Sequence, residues 1–405
     1  MAILSPASES ELVDAVATAI VKGQPLAVEG NGSKRGYGRP IDAPQALTTR
    51  AMRGVSMYEP SELVLTAAAG TPLSEITALL NQRNQELAFE PMDFGALYGT
   101  GPLAGTIGGL VAVNASGPRR IKAGAARDHV LGFRAVSGRA EIFKSGGRVM
   151  KNVTGYDLSK LMTGSFGTLA VLSEVTLKVL PRAETETTLL YPGLGEAAAI
   201  ALLTAASGLQ HEISGLAHVP AIAAAGLVES AAGFSLTALR LEGPEVSVVQ
   251  RVEALRAHFR PQCPEMHSLA EAASKAFWIS IRDLAPVAAL PADIWRISAA
   301  PTDGPGLVEA IRQAGVPAVR WYYDWAGGLV WLAVSPMPDA LATPVRAAVS
   351  ACGGHATLMR AADVVRRGTP VFHPQPPALA ALSARVKHNF DPEGVLNPGR
   401  MREDF

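Results

Sequence analysis

Apolar residues at Leu12, Val16 and Ile20 fall on one face of a helix, with Ser8 and Glu11 placed as a capping box before it and Gly23 and Pro25 ending it. Residues 26–29 then read as a short strand. A second strand is predicted over 63–68. Thr71-Pro72 opens a further helix, with Thr71 as N-cap, Pro72 as its first residue and Leu73, Ile76 and Leu80 as its buried stripe. Strand-like runs follow at 130–136 and 141–145, then a short helical piece up to Met162 and the turn Gly164-Ser-Phe-Gly167. A long strand over 168–180 ends at Pro181. The regular strand-helix alternation of a doubly wound sheet is missing.

From about Ala183 the pattern changes. Alanine-rich helices are predicted near 194–206 and 244–259, among strands at 187–191, 214–219, 234–241, 294–299, 318–323 and 329–334. The last two strands flank Asp324-Trp-Ala-Gly-Gly328, a hairpin connection. A helix near 338–350, the string Cys352-Gly-Gly-His-Ala-Thr357 and a last helix with Leu379, Leu382, Val386 and Phe390 on one face lead to Asn397-Pro-Gly-Arg400. The fold class is therefore α+β, with domains expected at 1–182, 183–337 and 338–405. The middle part is a cap-like insert, and the helical tail returns to the first domain.

Glycine is concentrated in two loops. Gly99, Gly101, Gly105, Gly108 and Gly109 crowd the segment before 110–113, and Gly30-Asn-Gly-Ser-Lys34 follows the first strand. Such density suits positive φ or close approach of a ligand to the backbone, and free N–H groups there can hold an anionic diphosphate. The first loop lacks the helix that a Rossmann fingerprint requires, and the chain contains no G-x-x-x-x-G-K-[ST] string. Arg119 and Arg120 add two cations that could neutralise a diphosphate or solvate a turn.

Composition narrows the classes. With 405 residues, 48% hydrophobic and 18% charged, the chain is globular and large enough for two or three domains. Its formal charge is zero, so no overall field favours nucleic acid or anionic lipid. Cys263 and Cys352 alone support neither a disulfide framework nor a self-contained iron–sulfur cluster, and they suit a reducing cytoplasm. Acidic residues at the start, and no membrane-length apolar run, predict a chain with no signal peptide and no membrane insertion.

The loop Gly30-Asn-Gly-Ser33, Gly105-Thr-Ile-Gly-Gly109 with Asn114, Arg127-Asp-His-Val-Leu-Gly132, Gly164-Ser-Phe-Gly-Thr168 and Glu174 occur in an order that resembles the vanillyl-alcohol oxidase (PCMH-type) FAD-binding family, a two-subdomain fold. Gly117-Pro-Arg-Arg120, the string 149–158, residues 294–298, Gly353 to Thr357 and Asn397 to Met401 are similar to the FAD-binding E-subunit family of bacterial glycolate oxidases. The resemblance implies FAD bound by Gly30, Asn31, Gly32, Ser33 and Lys34 on one side and by Gly105, Thr106, Gly108 and Gly109 on the other. Asn114, Gly117, Arg119, Asp128, Gly155, Asp157, Glu174, Asn397 and Arg400 complete the implied set. No His or Cys occupies the first loop, so the FAD is expected to be noncovalent.

Oxidation of a 2-hydroxy acid on a flavin needs a base and a carboxylate-binding cation. His355 and Arg400 are the candidates for these roles, with Arg296 as another cation. His211 and His218 are spaced seven apart, a poor basis for a metal site, and no metal is expected. The resemblance implies a small 2-hydroxy acid substrate, with a catalytic flavoprotein subunit and an iron–sulfur subunit as partners, in the cytoplasm or at the inner face of the membrane through them. Two alternatives stay open: a self-sufficient D-2-hydroxy-acid dehydrogenase, and a noncatalytic scaffold.

Overall fold

The computed structural model describes residues 2–102, 104–147, 155–229 and 233–404, so most of the string 149–158 lies outside the described residues. The chain forms two compact units. The first comprises 1–116, 124–182 and 370–405, and the second 117–123 and 183–369.

The first helix, Glu9–Lys22, begins where the Ser8 hydroxyl accepts a hydrogen bond from the Glu11 amide and ends at Gly23, whose φ is +59°. Its buried residues Leu12, Val16 and Ala19 join Leu26, Leu47, Val136, Val171 and Leu396 in one core. Two larger sheets and a short antiparallel pair, Gln85–Glu86 with Leu180–Pro181, build the described part of this unit. A parallel sheet of order Ala2–Leu4, Gln45–Thr48 and Leu26–Glu29 is extended by a parallel bridge from Leu26 to Leu396. An antiparallel sheet runs in the order Val55–Glu59, Val64–Ala68, Ala170–Lys178, Val130–Ser137, Ile142–Gly146.

The second unit is an eight-stranded antiparallel sheet, ordered His267–Ala270, Thr185–Pro192, Leu236–Gly243, Gly215–Val219, Ala318–Asp324, Leu329–Val334, Asp293–Ser298, His355–Arg360. The helices Glu196–Ser207, Glu245–Phe259 and Glu271–Arg282 pack on it. Strands 318–324 and 329–334 are joined by the tight turn Trp325–Gly327, as the hairpin reading expected.

Three expectations need correction. Thr71 does not cap the second helix, which is Leu73–Asn81 with Pro72 at the cap. The Thr71 hydroxyl instead donates to the Ala68 carbonyl at 2.7 Å and accepts from the Gly54 amide at 3.0 Å, tying down a turn. The expected third segment, 338–405, divides: 338–369 belongs to the second unit because His355–Arg360 pairs with Asp293–Ser298, while 370–405 belongs to the first. On the tail helix Pro377–Phe390, Leu379 and Leu382 are exposed, and the fully buried side chain is that of Lys387, which finds an ionic partner inside.

Candidate FAD site

The strand Leu26–Glu29 delivers loop 30–38, whose start is held by the Thr48 hydroxyl donating to the Gly30 carbonyl at 2.6 Å. A Cβ at residue 30 would overlap the Thr106 side chain, so glycine is what lets the first loop close on the second. The Asn31 side-chain Nδ2 donates to the Ala104 carbonyl across the same junction, at 3.3 Å. Thr106 caps the short helix Ile107–Val113, its hydroxyl accepting from the Gly109 amide at 3.3 Å. At Gly108 a Cβ would stand 2.7 Å from that of Ala69, and the Gly108 amide donates to the Ala69 carbonyl at 2.8 Å. Both loops are thus fixed by backbone contacts that a larger side chain at these two glycines would break.

The loop is backed as well as closed. Arg35 makes two bonds to Glu29, at 2.6 and 2.5 Å. Tyr37 meets Phe166 edge-on at 4.8 Å, Phe166 meets Phe372 at 4.9 Å, and Phe94 lies 5.9 Å from Tyr37. From the tail, Arg400 donates to the carbonyls of Lys34 and Arg39, both at 3.0 Å, and its own carbonyl accepts from the Arg39 amide at 2.9 Å. Asn397 accepts from the Val28 amide at 2.7 Å and donates to the Phe166 carbonyl at 2.7 Å. The two tail residues therefore act as clamps on the loop and the strand behind it.

One cation sits inside this arrangement. The Lys34 ammonium lies 3.1 Å from where a Cβ on Gly105 would be, and 4.0 Å from that position on Gly109. Its neighbour is the Ser33 hydroxyl at 3.5 Å. Lys34 keeps some accessible surface, but the protein packed around its ammonium lowers its pKa to about 8, with Asp93 opposing that shift. Among the described residues no carboxylate lies within ion-pair distance of it. Two closely apposed glycine loops and an ammonium with no carboxylate at ion-pair distance fit an anionic diphosphate, and the loop offers no His or Cys for a covalent flavin link.

The other expected ligands divide by location. Asn114 ends its helix in the left-handed conformation and accepts from the Arg127 amide at 3.1 Å. Asp128 accepts from the Ala125 amide at 2.9 Å, a turn-forming bond. Asp157 caps the helix Leu158–Met162, and Gly155, with φ +82°, is exposed. Glu174 accepts from the Ser56 hydroxyl at 2.9 Å. Gly117 and Arg119 belong to the second unit: the Gly117 carbonyl accepts from the Trp325 indole at 3.2 Å, and Arg119 grips Glu242 with bonds of 3.0 and 2.7 Å. Arg119 thus has a buried carboxylate as a partner, one that it shares with Arg240.

His355 is an exposed residue at the start of an edge strand of the second unit. His218 is fully buried on the strand Gly215–Val219, with Nδ1 2.9 Å from the Thr237 hydroxyl and Nε2 without a partner among the described residues. Among the described residues no group of three or more His, Cys, Asp or Glu is placed to hold a metal ion. Burial pushes His218 down to about 4, so the folded unit keeps it neutral while the unfolded chain protonates it below its ordinary 6.5. The stability this represents is present above that ordinary value and is lost as the pH falls toward 4. From about pH 7 to about pH 5 the second unit should lose about 2 kcal/mol at this residue. All five tryptophans lie in the second unit, so their fluorescence during urea unfolding reports this loss, and His218→Gln should flatten it.

Comparison with known proteins bears on the same residues. The FAD binding domain family matches residues 1–146, the part that carries both glycine loops. The chain is 35% identical over 396 residues to glycolate oxidase subunit GlcE of Escherichia coli, covering 96% of each. It belongs to the GlcE family of glycolate oxidase subunits. Glycolate oxidase subunit GlcD of Bacillus subtilis is 28% identical over 190 residues, 47% of this chain and 39% of that one. In three dimensions p-cresol methylhydroxylase with substrate bound shares the fold, with a TM-score of 0.72 at 12% identity, covering 99% of this chain and 88% of that one. This GlcE-family chain is thus an FAD-linked oxidoreductase of the group acting on glycolate- and lactate-type hydroxy acids. Sequence reasoning missed three parts of its site: the aromatic backing around Tyr37, the Arg35 pair with Glu29, and the buried pair of Lys387 with Asp391. The last carries an i,i+4 signal on the tail helix; the aromatic set spans some 330 positions and carries none.

Proposed function

We propose that the chain is the FAD-holding subunit of a complex that oxidises glycolate to glyoxylate beside a catalytic flavoprotein subunit and an iron–sulfur subunit. The observation that carries this is the pair of apposed glycine loops around Lys34, in a chain that matches a glycolate oxidase subunit from end to end. Bound there, FAD supplies an acceptor for the two electrons and two protons that leave glycolate. Gly30, Asn31, Gly32, Ser33 and Lys34 would hold it from one side, and Gly105, Thr106, Gly108 and Gly109 from the other. Arg400 and Asn397 keep the first loop in place.

Dependence on a partner is supported by the placement of the two catalytic candidates. Arg400 directs guanidinium hydrogens into the chain's own carbonyls, and His355 stands on an exposed edge of the second unit. Both cysteines are free, and two thiols do not ligate a cluster alone, so iron–sulfur chemistry would come from another chain. No described helix is long and apolar enough to cross a membrane, and we place the complex in the cytoplasm, with membrane association through partners.

The test is the anaerobic visible spectrum of the purified chain with FAD, before and after glycolate and then D-lactate. Flavin bands that stay unchanged, and bleach once the catalytic flavoprotein subunit is added, are the expected result. Bleaching of the isolated chain by either acid would establish a self-sufficient dehydrogenase instead. Absence of flavin bands after incubation with FAD would leave the scaffold reading.

A further inference from the structure

We propose that Lys34 recognises the negative charge of the FAD diphosphate and that binding FAD takes up a proton at this ammonium, so that affinity falls in alkaline solution. The proposal rests on the FAD reading above and deepens it by naming the charge that distinguishes FAD from an uncharged flavin.

The geometry places the ammonium at the junction of the two loops, beside Gly105 and Gly109 and next to the Ser33 hydroxyl. Every other charged group packed near it is already engaged or acts from further away. Arg35, on the same loop, is held by Glu29; Arg400, from the tail, donates to the Lys34 and Arg39 carbonyls; Asp93, from the segment before the helix Gly95–Tyr98, acts on Lys34 through space. The second loop contributes no titratable side chain, since residues 104–109 are Ala, Gly, Thr, Ile, Gly and Gly. Both guanidiniums remain charged across the accessible range. The Lys34 ammonium is therefore enclosed with no carboxylate at ion-pair distance, and its pKa of about 8 records the cost of keeping it charged there. A diphosphate would repay that cost and raise the pKa, and a group whose pKa rises on binding takes up a proton when the solution pH lies between the two values.

The size of the effect follows from the linkage. If binding holds Lys34 protonated, the dissociation constant for FAD rises about tenfold between about pH 7 and about pH 9. Proton uptake per FAD should approach one at about pH 9 and almost vanish at about pH 7. Isothermal calorimetry in two buffers of different ionisation enthalpy measures both quantities on the full chain. Riboflavin, which lacks the diphosphate, should show neither the alkaline fall nor the uptake.

Lys34→Arg keeps the cation but removes its titration, so FAD should bind to it with an affinity that is flat between the two pH values. Lys34→Met should bind FAD more weakly at neutral pH and should also be flat. Saturable FAD binding by the unaltered chain with no alkaline fall, or an unaltered fall in Lys34→Arg, overturns the role of Lys34 and leaves the FAD site standing. No saturable binding at any pH overturns the FAD reading itself. Because Lys34→Arg retains the charge, it decides the matter even where Lys34→Met fails to fold.

Discussion

Replacing Asp391 by alanine destabilises the first unit by about 3–5 kcal/mol. The Asp391 side chain is fully buried. It accepts from the Lys387 ammonium at 2.5 Å and from the amides of Val395 and Leu396 at 3.0 and 2.9 Å. Lys387 in turn donates to the carbonyls of Thr168 and Leu396, at 2.8 and 2.9 Å. Alanine at 391 would therefore strand a buried cation and two amides at once. Burial already pulls the Lys387 pKa down against the pull of Asp391, so removing the carboxylate leaves only the unfavourable part. The double replacement Lys387→Met with Asp391→Leu should cost less than Asp391→Ala alone, since it removes both charges together. The tryptophans all belong to the other unit, so the readout is hydrogen exchange across 26–29 and 395–397. Equal exchange protection in Asp391→Ala and the unaltered chain would contradict this account.

The second large effect is expected at Asn397, and it reaches the cofactor. Asn397 is 2% exposed, with φ +45°, a left-handed conformation that asparagine tolerates better than alanine. Its side chain completes the backbone needs of Val28 and Phe166, and its own amide donates to the Leu26 carbonyl at 3.0 Å. Asn397→Ala leaves a buried N–H and a buried carbonyl unsatisfied, at about 1–3 kcal/mol each, and adds backbone strain. The strand Leu26–Glu29 then loses the side-chain tie at Val28 and keeps only its backbone bonds to the tail, and loop 30–38 issues directly from that strand. The dissociation constant for FAD should rise by about tenfold or more. Flavin fluorescence titration measures it. Unlike a change at Lys34, this loss should be the same at about pH 7 and about pH 9, because no titrating group has been removed.

Much of this chain could be read before any coordinates. Ser8, Glu11, Gly23 and Pro25 mark the ends of the first helix because capping involves groups within a few residues of each other. The glycine loops could be recognised as places of close backbone approach because so many residues without a Cβ have few other uses. The order of those loops with Asn114, Gly164 and Glu174 carried the family resemblance, and with it the cofactor. Six of the eight antiparallel strands of the second unit announced themselves by short apolar runs between turns, while the edge strands His267–Ala270 and His355–Arg360 did not.

Partnerships between distant residues were not written in any local pattern. Arg119 sits beside a glycine-rich stretch and looked like a phosphate ligand, yet its carboxylate partner Glu242 lies 123 residues away, and the segment 117–123 belongs to the second unit. Arg400 and Asn397 looked like groups reaching for a flavin, and their side chains bond backbone 231 to 369 residues earlier. The helix that carries Leu379 and Leu382 exposes both and buries Lys387, because an ammonium with three good acceptors can occupy an interior position that periodicity alone would give to leucine. Helix ends, turns and glycine loops were set by chemistry between near neighbours, which a sequence displays directly. Which charge is balanced inside the protein, as at Arg119 and Lys387, and which is not, as at Lys34, was decided only when folding brought remote groups within hydrogen-bond distance.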